Sequence, residues 1–241
     1  ALSALAESRR RRYYDAKADR AARDAYYGGR TLPEDAQEAY RWLAELVRST
    51  HRETPRYRPM VEVYPWVDLH PNGMLRSIYS GLEYEPADFI EADERVRHER
   101  MVIVERSAQE STSASAAAEA AHLFEALEAA LPYNCEHVVP QSWFGKQEPM
   151  RGDLHHLFAC ESGCNSFRGN TPFYDFSEEE EKTRDACGRR EANKFEPVDG
   201  KGAVARATLY FLLRYPGAIN DAPQEVEAAR LDILREWCAA H

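Results

Sequence analysis

The chain has 241 residues, 44 % of them hydrophobic and 30 % charged, with a formal net charge of −10. That length and composition suit a globular protein able to bury a sizeable core, and no apolar run approaches the roughly 18 residues of a membrane-spanning helix. The acidic balance speaks against indiscriminate attraction to phosphate backbones, yet residues 1–60 carry 13 Lys/Arg against 9 Asp/Glu. A local site can therefore oppose the net charge.

In chain order, residues 35–51 carry Ala39, Trp42, Leu43, Leu46 and Val47 at helical spacing, with Pro33, Glu34 and Asp35 suiting the first turn. Residues 56–84 are rich in Pro and aromatics and predict irregular chain with short strands, one of them at Arg76–Tyr79. A Ser/Ala-rich stretch at 111–120 leads into a predicted helix through Leu123, Phe124, Leu127 and Leu131, which Pro132 ends. Residues 133–176 lack helical periodicity and are dense in His, Asn, Gly, Cys and aromatics, a composition suited to a loop-built site. The run Glu178–Glu181 reads as a solvated loop. Two further helices are predicted: 202–214, with Ala205, Leu209, Leu212 and Leu213 inward, and 223–240, with Val226, Leu231, Leu234 and Trp237 inward. No internal repeat is present. The predicted architecture is α+β: one helix-rich domain spanning 1–241 with a small β component.

Glu136 and His137 are adjacent in Tyr133–Pro140. On a strand, neighbouring side chains point to opposite faces, so a carboxylate and an imidazole there can serve a metal and a water separately. An imidazole suits proton removal near neutral pH, and a hard divalent cation prefers oxygen ligands. Downstream, Asn165 offers an amide oxygen, and Arg168 a planar guanidinium suited to a phosphate.

Three motifs follow in order: Glu136-His137-Val138-Val139-Pro140-Gln141-Ser142-Trp143-Phe144, then Asp153-Leu154-His155-His156-Leu157, then Asn165-Ser166-Phe167-Arg168-Gly169-Asn170. Together they resemble the endonuclease I family, secreted or periplasmic non-specific nucleases of the His-Me finger (ββα-metal) class. Tyr13-Tyr14, Ile78-Tyr79-Ser80-Gly81, Phe195-Glu196-Pro197, Lys201-Gly202 and Ala205-Arg206 agree in kind and order.

The resemblance implies a ββα-metal core at about 133–176. It implies His137 as general base, and Glu136 and Asn165 as ligands of one Mg²⁺, with Mn²⁺ or Ca²⁺ as other possible ions. It also implies a monomer that hydrolyses DNA, and RNA as a second substrate, leaving 5′-phosphate ends. A transition-state arginine of some relatives lies on an insertion that this chain lacks, with only Phe144–Gly152 between Trp143 and Asp153. Arg168 and Arg206 are the candidates to replace it. Arg206, Trp143 and Lys201 are candidate nucleic-acid contacts, Trp143 with the competing reading of a core side chain. Asp153, His155 and Asn170 are expected to support the site.

Cys135, Cys160, Cys164, Cys187 and Cys238 permit disulfides of unassigned connectivity, or a structural zinc built on Cys160 and Cys164 with His155, His156, Cys135 or Cys187. Two rival functions follow. One is a degenerate nuclease fold that binds nucleic acid without cutting it, and the other is a zinc-stabilised interaction domain.

Overall fold

A computed structural model describes residues 1–110, 122–123, 131–219 and 227–241. The N-terminal part is helical: α1 (Leu2–Ser8), α2 (Ala16–Tyr27) and α3 (Ala36–Thr50). Asp15 and Asp35 cap α2 and α3 by accepting hydrogen bonds from backbone N–H groups of the first turn. The α3 span agrees with the predicted helix, although Leu46 is the one residue of its apolar stripe that is fully buried.

Residues 59–67 depart from the irregular chain expected there. Pro59 opens a short helix, α4 (Pro59–Glu62), which continues as a π-helical turn over Val63–Val67. Proline suits a first helical position, where its missing N–H has no partner to lose. The turn is closed by Asp68 N–H donating to the Val63 carbonyl and buries Val63, Tyr64 and Pro65. Next comes a two-residue antiparallel pair, β1 (Leu75–Arg76) and β2 (Glu83–Tyr84). The strand expected to run to Tyr79 stops at Arg76. Gly81, at φ 72°, donates its N–H to the Ser77 carbonyl and turns the chain back. The long α5 (Pro86–Glu110) was not signalled by the sequence; it buries Phe89, Ile90, Ala92 and Val96, all in its first half. The predicted helix ending at Pro132 falls largely outside the described residues.

The centre of the molecule is a strand–strand–helix unit. β3 (Tyr133–His137) pairs antiparallel with β4 (Leu157–Glu161), His137 opposite Leu157 and Tyr133 opposite Glu161. α6 (Ser162–Arg168) follows directly. Three 3₁₀ turns at Gln141–Phe144, Met150–Gly152 and Leu154–His156 fill the β3–β4 connection. A small antiparallel meander, β5 (Thr183–Asp185), β6 (Gly188–Glu191) and β7 (Lys194–Pro197), lies beyond. The acidic run leading into it is mostly exposed, but Glu178 pairs with Arg184 and Arg189, and Glu180 with Lys194. Helices α7 (Lys201–Arg214) and α8 (Ala228–Ala240) pack on each other and close the fold.

The β3–β4 hairpin is covered on both faces. One apolar cluster joins Cys135, Leu157 and Ala159 to Tyr64, Leu75 and Phe89. The other joins Val138 and Cys160 to Tyr79, Phe195, Val204 and Trp237. A disulfide between Cys164 and Cys187 ties α6 to the turn before β6, and Cys135, Cys160 and Cys238 are free thiols. Cys164 and Cys187 are thus committed to each other, which removes the zinc arrangement built on them. Among the described residues no helix is long and apolar enough to cross a membrane.

Candidate active site

β3, β4, α6 and the connecting turns surround a cavity of about 540 Å³ lined by Glu136, His137, Gln141, Arg151, Asn165 and Arg168, with Asn170 exposed at its rim. The strand alternation works as expected for Glu136. Its neighbour Cys135 enters the Tyr64 cluster, while the Glu136 carboxylate meets Tyr79 and Arg168 from the other side.

His137 is 5 % exposed and makes two hydrogen bonds through its ring. Nε2 lies 2.9 Å from the Arg151 carbonyl oxygen, and Nδ1 lies 3.2 Å from Gln141 Nε2. Arg151 Nε in turn donates to Gln141 Oε1 at 3.0 Å. This ring of bonds has one consistent direction. A guanidinium only donates, so Gln141 presents its oxygen to Arg151 and its NH₂ to His137. Nδ1 is therefore the acceptor, and Nε2–H donates to the carbonyl. Two partners together select the Nε2–H tautomer and leave the basic lone pair on Nδ1. Burial, with the nearby His156, pushes the imidazole down to about 3, so it is neutral.

Glu136 is 2 % exposed and Arg168 1 %. Tyr79 Oη and Arg168 Nη1 both donate to Glu136 Oε1, at 2.6 and 2.9 Å. Burial pushes the Glu136 carboxyl upward, while the guanidinium and then the Tyr79 hydroxyl pull it down. Arg168 also donates to the carbonyls of Thr171 and Val138, and it stacks between Trp143 and Phe173. Its whole fork is thus committed inside the protein. Asn165 lines the same cavity, and among the described residues its side-chain amide has no hydrogen-bond partner. Glu136 and Asn165 together present hard oxygen donors toward one space, a set suited to a divalent cation that keeps several waters. Among the described residues no group of three or more His, Cys, Asp or Glu side chains converges on a metal position, so any cation here would rest on this one carboxylate and one amide.

Asp153 and His155 stand beside this cavity, in a separate cleft shared with His51 and Tyr210. Asp153 accepts hydrogen bonds from His155 Nδ1, Tyr210 and Tyr215 at 2.8 to 2.9 Å. Burial raises its carboxyl, but the bonds from His155 and then Tyr215 outweigh this and hold it well below the ordinary range. Asp153 thereby pins the turn that carries His156 to α7.

The candidate nucleic-acid contacts lie elsewhere. Trp143 is 7 % exposed and packs with Phe144, Phe211 and Ile219. Lys201 is held by Asp175 and Glu196 over the Trp237 ring. Arg206 is exposed on α7, near Cys238 of α8, and does not line the cavity.

Among the lining residues that carried no expectation are Tyr57, Gln141 and Arg151. The Tyr57 ring lies 4.9 Å from that of His137, and the Arg151 guanidinium lies 4.9 Å above the same tyrosine. Gly152 makes this approach possible, because a Cβ there would collide with the Pro55 carbonyl. Gln141 was visible inside a motif and Arg151 just before another, but a separation of 10 residues through irregular turns hides their contact.

Two groups packed around the β3–β4 hairpin set opposing pH dependences. Burial pushes His156 down to about 4, with the Met150 carbonyl pulling back. As the pH falls from about 6.5, the unfolded chain takes up this proton first. Stability of up to about 3 kcal/mol is then lost by pH 4. Asp68 behaves oppositely. Burial pushes its carboxyl up to about 7, against the hydrogen bond from Ala159 N–H, so acidification below pH 7 restores stability. Asp68→Asn removes that opposing contribution. Urea unfolding is expected to show a steeper loss between pH 7 and 4.5 in Asp68→Asn than in wild type. An equal or shallower loss would mean that Asp68 is ionised in the folded protein.

Residues 78–239 match the family model described as Endonuclease I. No curated relative and no solved structure matches the chain. The matched region contains the whole ββα unit, whereas Tyr57, which enters the cavity, precedes it.

Proposed function

The chain belongs to the endonuclease I family, and from that premise we propose that it is a sequence-non-specific, divalent-cation-dependent endonuclease acting on DNA, and also on RNA, with His137 as general base. The observation that carries this reading is the hydrogen bonding of the His137 ring, from which its tautomer follows. A neutral imidazole anchored through Nε2 to a backbone carbonyl, with its basic lone pair on Nδ1, is what proton removal from water requires.

Glu136 and Asn165 would hold the cation, Mg²⁺ first among the candidates. When bound, such an ion neutralises charge developing on the phosphate and stabilises the leaving 3′ oxygen. Nδ1 takes a proton from water, and the Arg151 carbonyl, accepting from Nε2–H, steadies the imidazolium that results. The water oxygen bonds to phosphorus as the P–O3′ bond breaks, and O3′ takes a proton from solvent, so a 5′ phosphate and a 3′ hydroxyl are left. Arg168 positions Glu136 rather than reaching substrate, because its donors are already engaged. Lining contacts of this kind read backbone rather than base edges, which supports weak sequence preference. The Cys164–Cys187 disulfide supports an oxidising compartment, outside the cell or in the periplasm.

Supercoiled plasmid and a structured RNA, each incubated with the protein and Mg²⁺, test the reading. Cleavage is expected, with loss in EDTA and recovery when Mg²⁺ is restored in excess. End-labelling is expected to find 5′ phosphates. Equal cleavage in EDTA would overturn the cation requirement, and binding without cleavage would indicate a degenerate nuclease.

A further inference from the structure

The His137 ring of hydrogen bonds contains an obstacle to catalysis. Nδ1, the atom that must accept a proton from water, already accepts one hydrogen bond from Gln141 Nε2. That bond, at 3.2 Å, is the longest of the three, and the other two measure 2.9 and 3.0 Å. Gln141 is in turn held by Arg151 Nε. Among the described residues, Arg151 Nη1 and Nη2 have no hydrogen-bond partner, and Arg151 is one of the residues lining the cavity that also holds Glu136 and Asn165. The guanidinium face rests on Tyr57, which supports it without using its donors. Arg168, which lines the same cavity, has no such donors to spare.

On the proposed nuclease reading, we infer that Arg151 is the residue that grips a substrate phosphate, and that Gln141 is a latch on the base which this grip releases. A guanidinium fork matches phosphate oxygens better than a single amide oxygen, and the bond is charge-assisted. A phosphate that draws the guanidinium into the cavity removes the anchor on Gln141 Oε1. The Gln141 side chain then swings off Nδ1, and water takes its place. The base is thus uncovered only when a phosphate is present. Gln141 acts through His137 and is a positioning residue, and Arg151 contacts the substrate.

The test separates this inference from the nuclease reading, because its first arm needs no turnover. ¹⁵N-labelled protein is titrated with a short DNA duplex in EDTA. In free wild type, His137 is expected to be the Nε2–H tautomer, with Nδ1 coupled to the Gln141 amide. At saturation the Arg151 Nε–H and Gln141 NH₂ signals are expected to shift and the Nδ1 coupling to vanish. In Arg151→Gln the duplex is expected to leave the Gln141 and His137 signals in place. An Nδ1–H tautomer in free protein, or unmoved Gln141 and His137 signals in saturated wild type, would overturn the latch.

The second arm is kinetic, with Mg²⁺. Arg151→Gln is expected to lower kcat about 100-fold, the scale for losing one transition-state donor. Arg151→Lys is expected to recover part of the rate, and added guanidinium ion to rescue Arg151→Gln. Gln141→Ala is expected to raise kcat/KM about fivefold, the worth of one hydrogen bond no longer to be broken. A 100-fold fall in Gln141→Ala would place Gln141 in the chemistry itself and sink the latch, and wild-type kcat in Arg151→Gln would sink the phosphate grip.

Discussion

His137→Ala is expected to cut plasmid cleavage in Mg²⁺ by about 10²–10⁴-fold or more, the range that a positioned general base contributes. The fold should survive. The ring sits at the wall of an open cavity, so water can reach the Arg151 carbonyl that loses its donor. Circular dichroism and a urea curve on the variant check this, and a change of about 1 kcal/mol is in keeping with one lost hydrogen bond. His137→Gln provides a second reading, since it retains an N–H donor but no base. If Ala and Gln variants are both folded and both cut at the wild-type rate, another group removes the proton and the assignment is wrong. The pH profile adds a sign. Burial places the His137 imidazole near 3, so the neutral base persists as the pH falls. The acid limb of kcat/KM is then expected well below pH 6.5, where an ordinary histidine would set it.

Much of the scaffold was legible in one dimension for particular reasons. α3 and α7 combine an apolar stripe with end signals: Asp35 before the first, Pro216 and Gly217 after the second. The ββα unit was readable through its motifs rather than its periodicity, because a five-residue strand buried on both faces has little alternation to display. The helical turn at 59–67 was hidden by its prolines, and α5 by its dense charge.

Within the site, residue types that chemistry demands were visible, but their freedom was not. Arg168 and Lys201 looked like phosphate contacts because a sequence shows a cation without its partners. In the fold Glu136 engages one, and Asp175 with Glu196 engages the other. Arg151 looked ordinary for the converse reason, since its availability depends on Tyr57, 94 positions earlier in the chain.

Arg168 therefore yields a prediction whose readout is stability more than activity. Its guanidinium and the Glu136 carboxylate form an ion pair at 2.9 Å with almost no solvent contact. Such a pair adds little over an apolar substitute, but removing one partner leaves the other charge uncompensated and costs about 3–5 kcal/mol. Arg168→Met is expected to lose that amount in urea unfolding, because it keeps most of the volume while orphaning Glu136 and the Thr171 and Val138 carbonyls. Arg168→Lys retains the charge but cannot serve Glu136 and two carbonyls at once, so an intermediate loss is expected. Combining Arg168→Met with Glu136→Gln should cost clearly less than the sum of the two single changes, as the orphaned charge is then gone. A phosphate-gripping arginine would behave otherwise: its loss would slow cleavage and shift the unfolding curve only by about the 1 kcal/mol of one hydrogen bond, as expected for Arg151. An Arg168→Met protein as stable as wild type would remove Arg168 from the framework and reopen the question of which cation meets the substrate.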